Sequence, residues 1–161
     1  ILLLDIPNGR YIATFIFALA AFTDSLDGYI ARSRNQVTNF GKFMDPLADK
    51  LLVSTALISL IELGKVPAWV VIIIIAREFA ITGLRTIAAS EGTTIAASPL
   101  GKFKTITQLV AIIALLLDNY PFSLVNFPFD MVMLYISLIF TVISGVDYFY
   151  RNKDVFRSGN R

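Results

Sequence analysis

Apolar runs separated by short polar or turn-forming breaks divide this chain into five predicted helices. The first runs from about Tyr11 to Arg32; it is apolar through Phe22 and then carries Asp24 and Asp27. The polar stretch SRNQVTN forms a short loop, and a second helix follows from about Phe40 to Leu63 with Asp45 and Asp49 in its early turns. Pro46 within it lacks an N–H, which predicts a freed carbonyl at Lys42. ELGKVP closes that helix with Gly and Pro as breakers. A third helix spans about Ala68 to Ala89: VVIIIIA is uniformly apolar, and the second half carries Arg77, Glu78, Thr82 and Arg85. After the loop SEGTTIAASP, a fourth helix covers about Leu100 to Leu117 and begins with Lys102 and Lys104. DNYPFSLVNFP is a turn-rich, aromatic connection suited to a membrane interface, and a fifth helix runs from about Asp130 to Tyr150. Each helix is close to the roughly 20 residues needed to cross a bilayer.

Composition strengthens the membrane reading. The 161 residues are 56% hydrophobic with a mean hydropathy of +0.70, well above a soluble domain's norm. Arg32, Arg34, Lys42, Arg85, Lys102, Lys104, Arg151, Lys153, Arg157 and Arg161 fall at alternate loops or the C-terminus, whereas the opposite loops carry little beyond Arg10 and Lys65. The positive-inside rule therefore puts both halves of the aspartate stretch, the Arg85 end and the Lys102 start on the cytoplasmic side. On that orientation the first helix starts outside, so a preceding helix is expected. Ile1 and the segment ILLLDIPNGR read as the tail of a truncated element followed by a turn. The expected fold is an all-α integral membrane domain over residues 1–161, a six-helix bundle in the intact protein with five helices here and the first missing.

Candidate chemistry is narrowed by what is absent. With no histidine and no cysteine, acid–base and metal chemistry must rest on Asp, Glu, Lys or Tyr. A net charge of +2 without a basic run interleaved with aromatics gives no sign of nucleic-acid binding. Asp24 and Asp27 are three apart and Asp45 and Asp49 four apart, so each pair projects from one helix face. Gly28, Ala31 and Gly41 lie four residues from Asp24, Asp27 and Asp45, laying a strip of small residues beside the carboxylates. Solvated charges at the headgroup level are the bland reading. Carboxylates at matched spacing within membrane helices are costly, however, and mark function. All-oxygen ligation suits Mg²⁺, Mn²⁺ or Ca²⁺, and a pair of such ions suits phosphoryl transfer, with one carboxylate taking the proton of an attacking hydroxyl.

Asp24-x2-Asp27-Gly28-x2-Ala31-Arg32-x8-Gly41-x3-Asp45-x3-Asp49 resembles the complete signature of the CDP-alcohol phosphotransferases, with all eight fixed positions present. The resemblance implies a membrane-embedded enzyme in which the hydroxyl of an alcohol displaces CMP from a CDP-activated partner. It implies that Asp24, Asp27 and Asp45 hold one metal ion and that Asp24, Asp45 and Asp49 share a second. The ions would be Mg²⁺, with Mn²⁺ the alternative. It also makes Asp49 the general base and puts Asp27, Gly28, Arg32 and Gly41 along the CDP-lipid.

A second constellation, Ala76-Arg77-Glu78-Phe79-x2-Thr82-Gly83-Leu84-Arg85, places Glu78, Thr82 and Arg85 on one face of the third helix. An ion pair between helices would explain such charges, but Glu78 and Arg85 stand about 10 Å apart along the axis and are poorly placed to satisfy each other. Arg77, Arg85, Lys102 and Lys104 gather at one end and suit an anionic co-substrate. AREFxxTGLR followed by LGKxKT resembles the branch of the family that uses sn-glycerol 3-phosphate as acceptor. By that resemblance Arg77, Thr82, Arg85, Lys102 and Lys104 would hold glycerol 3-phosphate, CDP-diacylglycerol would be the donor, and the product would be phosphatidylglycerol phosphate.

A homodimer in the cytoplasmic membrane with its site facing the cytoplasm is likewise implied by the resemblance. Rival readings keep the chemistry with another acceptor (inositol phosphate, serine or phosphatidylglycerol) or make the protein a divalent-cation transporter. Trp69, Tyr120, Phe122, Phe127 and Phe129 are expected as interface anchors, with Tyr148, Phe149 and Tyr150 doing the same on the cytoplasmic side. Gly83 and Gly145 are expected at helix-packing positions.

Overall fold

The computed structural model describes the backbone of residues 9–33, 39–90, 95 and 98–152, with side chains for all of these except 10, 24–33, 39–47, 49 and 90. The described residues form five α-helices: α1 (Gly9–Ser33), α2 (Asn39–Glu62), α3 (Ala68–Ser90), α4 (Pro99–Leu116) and α5 (Phe129–Arg151). These bounds fall within one or two residues of those predicted, because Gly, Pro and polar breaks delimit each apolar run. α2 continues through Pro46 without interruption. One short 3₁₀ helix, Phe122–Val125, lies in the aromatic connection and was not predicted.

The helix ends are explained locally. At the C-terminus of α2, Gly64 adopts the left-handed conformation (φ +68°), the Lys65 N–H donates to the Leu60 carbonyl at 3.0 Å and the Gly64 N–H donates to the Ile61 carbonyl at 2.8 Å. That is the reciprocal pattern that closes a helix on glycine. α4 opens with Ser98, whose hydroxyl accepts from the Gly101 N–H at 3.1 Å, and with Pro99 in the first turn. Lys65 donates to the Leu115 carbonyl at 2.6 Å and pairs with Asp118 at 2.5 Å, tying the α2–α3 turn to the C-terminal end of α4. Beyond it Asn119, itself left-handed (φ 61°), donates to the Phe127 carbonyl at 2.6 Å and accepts from the Asp130 N–H at 3.2 Å. One side chain thereby joins both ends of the α4–α5 connection.

Leu57 and Leu60 of α2, Val70, Val71 and Ile74 of α3, Ile112 and Leu115 of α4 and Leu134 of α5 form one buried core, with Phe17 of α1 against it. α4 and α5 make the most extensive helix pair. The buried face of α5 is a stripe of Leu134, Ser137, Leu138, Thr141, Ser144, Gly145 and Tyr148 at three- and four-residue spacing. Its hydroxyls turn back on their own helix: Ser137 donates to Leu134 O at 2.8 Å, Thr141 to Ser137 O at 2.7 Å and Ser144 to Thr141 O at 3.3 Å. Small residues whose polar atoms are satisfied within the helix allow close approach in an apolar medium.

Large apolar side chains, among them Ile72, Ile106, Ile139 and Val146, face outward. Among the described residues two helices, α4 and α5, are long and apolar enough to cross a membrane. Any 18-residue stretch of α3 contains Arg77, Glu78 and Arg85, so that helix is long enough but carries three charges. Trp69, Tyr120, Phe122 and Phe127 are exposed as expected of interface anchors, and Phe122 stacks on Phe129 with centroids 4.2 Å apart. Tyr148 departs from expectation: it is 3% exposed and belongs to the interior, whereas Phe149 and Tyr150 are exposed.

Candidate active site

Asp24 and Asp27 lie on the C-terminal part of α1, and Asp45 and Asp49 on the N-terminal part of α2. These two helices pack against each other, and only residues 34–38 separate them, so both aspartate pairs belong to the same end of the bundle. The side chains of all four, with those of Gly28, Arg32 and Gly41, lie outside the described residues. In a chain with neither histidine nor cysteine, these carboxylates offer oxygen donors of the kind that suits a hard divalent cation. Among the described residues themselves no group of three or more metal-ligating side chains occurs.

Directly beyond Asp49 on α2, Lys50, Val53, Ser54 and Leu57 line a cavity closed by Glu78 and two isoleucines of α3 and by Lys104, Thr105, Gln108 and Leu109 of α4. Glu78 is its electrostatic hub. Its Oε1 accepts from Lys104 Nζ at 2.6 Å and from Arg77 Nη1 at 2.9 Å. Arg77 Nη2 donates to Ser144 Oγ on α5 at 2.8 Å, and its Nε is buried without a partner among the described residues. Lys104 is 3% exposed, so its ammonium depends on Glu78 for compensation. Three helices are therefore joined through one ion cluster: α4 by Lys104 on the Glu78 carboxylate, and α5 by Ser144 on the Arg77 guanidinium, both held on α3. Two cations against one carboxylate leave this cluster with one net positive charge, an environment that favours an anion.

The other predicted acceptor residues are placed differently. Thr82 is half-buried and donates to the Glu78 backbone carbonyl of its own helix at 2.8 Å. Arg85 is exposed; its Nε donates to the buried Tyr148 hydroxyl at 2.9 Å, and its guanidinium carbon lies 5.4 Å from the Tyr148 ring centroid. That single bond leaves the outer nitrogens of Arg85 directed by a rigid anchor on α5. Lys102 is exposed on the first turn of α4 and is not drawn into the Glu78 cluster. The structure thus brings Arg77 and Lys104 together, fixes Arg85 separately and leaves Lys102 at the rim.

Ser144, Tyr148, Ser54 and Gln108 were not among the predicted site residues. Ser144 and Tyr148 act on α3 residues 67 and 63 positions earlier, a pairing that only packing can create. The readable signal was the three- and four-residue spacing of Ser137, Thr141, Ser144 and Tyr148 along a membrane-grade helix. Gly145 is a packing position as expected, since an added Cβ would stand 3.2 Å from Arg77 Cγ. Gly83 is not one: a Cβ there would meet nothing within 4 Å, because the residue points away from the neighbouring helices.

Residues 1–143 match the CDP-alcohol phosphatidyltransferase family. The chain is 52% identical over 156 residues to the CDP-diacylglycerol–glycerol-3-phosphate 3-phosphatidyltransferase of Bacillus subtilis (strain 168), covering 97% of this chain and 81% of that protein. It is 38% identical over 151 residues to the protein of the same name from Rickettsia bellii (strain RML369-C), covering 93% of this chain and 83% of the relative. The like-named protein of Haemophilus influenzae is 40% identical over 152 residues, 90% of this chain and 79% of the relative. Such enzymes work with divalent metal ions, in keeping with the carboxylate set on α1 and α2. With its signature intact across those two helices, and with relatives aligned over nearly its whole length, the chain belongs to the CDP-alcohol phosphatidyltransferase family.

Proposed function

We propose that this protein transfers the phosphatidyl group of CDP-diacylglycerol to the 1-hydroxyl of sn-glycerol 3-phosphate, forming phosphatidylglycerol phosphate and CMP. The observation that carries the acceptor assignment is the buried Arg77–Glu78–Lys104 cluster, whose net positive charge favours a phosphate monoester over a neutral acceptor. The names of the relatives point to the same reaction.

Asp24, Asp27 and Asp45 would hold one Mg²⁺, and Asp24, Asp45 and Asp49 a second. Bound there, the ions would neutralise the pyrophosphate and ease departure of CMP. Gly28, Arg32 and Gly41, with Asp27, would border the CDP-lipid. Asp49 takes the proton of the glycerol 3-phosphate 1-hydroxyl. That oxygen forms a bond to the phosphorus bearing diacylglycerol, and the bond from this phosphorus to the bridging oxygen breaks. The electron pair leaves on the phosphate of CMP. Arg77 and Lys104 hold the acceptor phosphate, Arg85 and Lys102 attract it from the rim, and Thr82 borders it. With no histidine or cysteine in the chain, direct displacement is favoured over a covalent intermediate. The arrangement of basic residues supports a site open to the cytoplasm; a six-helix bundle in the cytoplasmic membrane, acting as a homodimer, is the form that family membership leads us to expect.

CMP release from CDP-diacylglycerol by the purified full-length protein tests this reading. Turnover is expected with Mg²⁺ and glycerol 3-phosphate but not with glycerol, serine or inositol phosphate, and chelation of the metal should abolish it. Asp49→Asn should lower kcat by a factor on the order of 10² or more. Equal turnover with glycerol would overturn the role of the basic cluster, and full activity of Asp49→Asn would remove Asp49 as the base.

A further inference from the structure

Gln108 stands one turn beyond Lys104 on α4 and is 2% exposed. Neither its Nε2 nor its Oε1 has a hydrogen-bond partner among the described residues. A buried amide left in that condition is costly, and in apolar surroundings water is not freely at hand to relieve it. The amide lines the cavity between α2, α3 and α4, whose other polar walls are Lys50, Ser54, Glu78, Lys104 and Thr105. Its volume is about 30 Å³. A single water needs roughly 10–15 Å³ of such space, so the cavity admits a hydroxyl-bearing carbon but neither a nucleotide nor an acyl chain.

The cavity begins next to Asp49 in the sequence of α2 and ends on Lys104 of α4. Val53, which lines it, is one helical turn after Asp49, and Lys104 forms its opposite wall. In the reaction proposed above, an acceptor that gives its 1-hydroxyl to Asp49 and its phosphate to Lys104 and Arg77 would bring its 2-hydroxyl to this space. A secondary hydroxyl is both donor and acceptor, and the Gln108 amide offers the complementary pair on one planar group. We propose that Gln108 reads the 2-hydroxyl of the acceptor and is a specificity-determining residue of this enzyme. The assignment rests on the reaction proposed above and goes further by naming the atom that is recognised.

The test compares glycerol 3-phosphate with 3-hydroxypropyl phosphate, which keeps the attacking hydroxyl and the phosphate and lacks only the 2-hydroxyl. In the full-length protein kcat/KM should favour glycerol 3-phosphate by about tenfold or more, since a buried amide rejects an analogue that leaves it unpaired. In Gln108→Met, of similar shape and without the amide, the preference should fall to within about threefold. Gln108→Asn, a shortened amide, should give an intermediate ratio. Each ratio is taken within one preparation, so it does not depend on how much of a variant folds. Retention of the parent preference in Gln108→Met, including equal loss on both acceptors, would show that the amide serves structure or a trapped water and would overturn the assignment. So would the lack of any preference in the parent. Failure of the unmodified protein to release CMP with glycerol 3-phosphate would instead overturn the underlying reaction.

Discussion

Glu78 carries an unusual share of the interior's electrostatics: one oxygen accepts from both Lys104 and Arg77, and the second cation passes the connection on to Ser144. Removing the charge strands a buried ammonium beside a guanidinium. Glu78→Gln is therefore expected to cost about 3–5 kcal/mol, read as a lowered thermal midpoint in detergent. The double variant Glu78→Gln/Lys104→Met should recover most of that loss, and the cycle isolates the pair. An unchanged midpoint in the single variant would show that the contact contributes nothing. At this scale the sequence was half legible. Helical spacing showed that Glu78 could not satisfy Arg85, and the distance argument held. It could not show that the partner stands 26 residues later on α4, because that choice depends on how two helices rotate against each other. Tyr148 was misread for the same reason. An aromatic near a helix end reads as an interface anchor, and only its place on the buried stripe of α5 reveals an anchor for Arg85.

The helices themselves were plain in the sequence, since runs of about twenty apolar residues bounded by Gly, Pro and polar breaks leave little else to form. The short 3₁₀ helix was not, because its setting depends on Asn119 bridging two distant backbone groups and on left-handed residues at Asp118, Asn119 and Asn126. How α3 meets α5 is a matter of single atoms. A side chain at Gly145 would press on Arg77 Cγ at 3.2 Å, whereas one at Gly83 would meet open space. Gly145→Val is expected to lower stability by about 1–3 kcal/mol and to reduce CMP release, while Gly83→Val leaves both close to the parent. Thermal midpoints and turnover measured side by side decide this. Equal behaviour of the two variants would remove the claim that the α3–α5 seam holds Arg77 in place.

Seen as a whole, the chain has basic residues at one end of its helices and an aromatic connection at the other. The absence of cysteine makes the orientation directly measurable. Lys102→Cys should react with a membrane-impermeant thiol reagent only from the cytoplasmic side, and Ser123→Cys only from the opposite side. The reverse pattern would invert the placement of the site. The membrane character of the chain was legible from composition, yet α3 shows where composition misleads. Its charges disqualify it as an apolar span when taken alone, although Glu78 is compensated by Lys104 of α4 and both arginines are hydrogen-bonded to α5.

That compensation bears on how the chain is made. Glu78 leaves the ribosome before Lys104, and the two are 26 residues apart. A charged residue at mid-helix costs roughly 2.5–3.5 kcal/mol on entering lipid, so α3 is a poor passenger until α4 has been synthesised. The buried ammonium that prepares the interior for an anion is therefore expected also to help α3 enter the bilayer together with α4, and Lys104→Met should lower the yield of inserted α3 in a translocon assay.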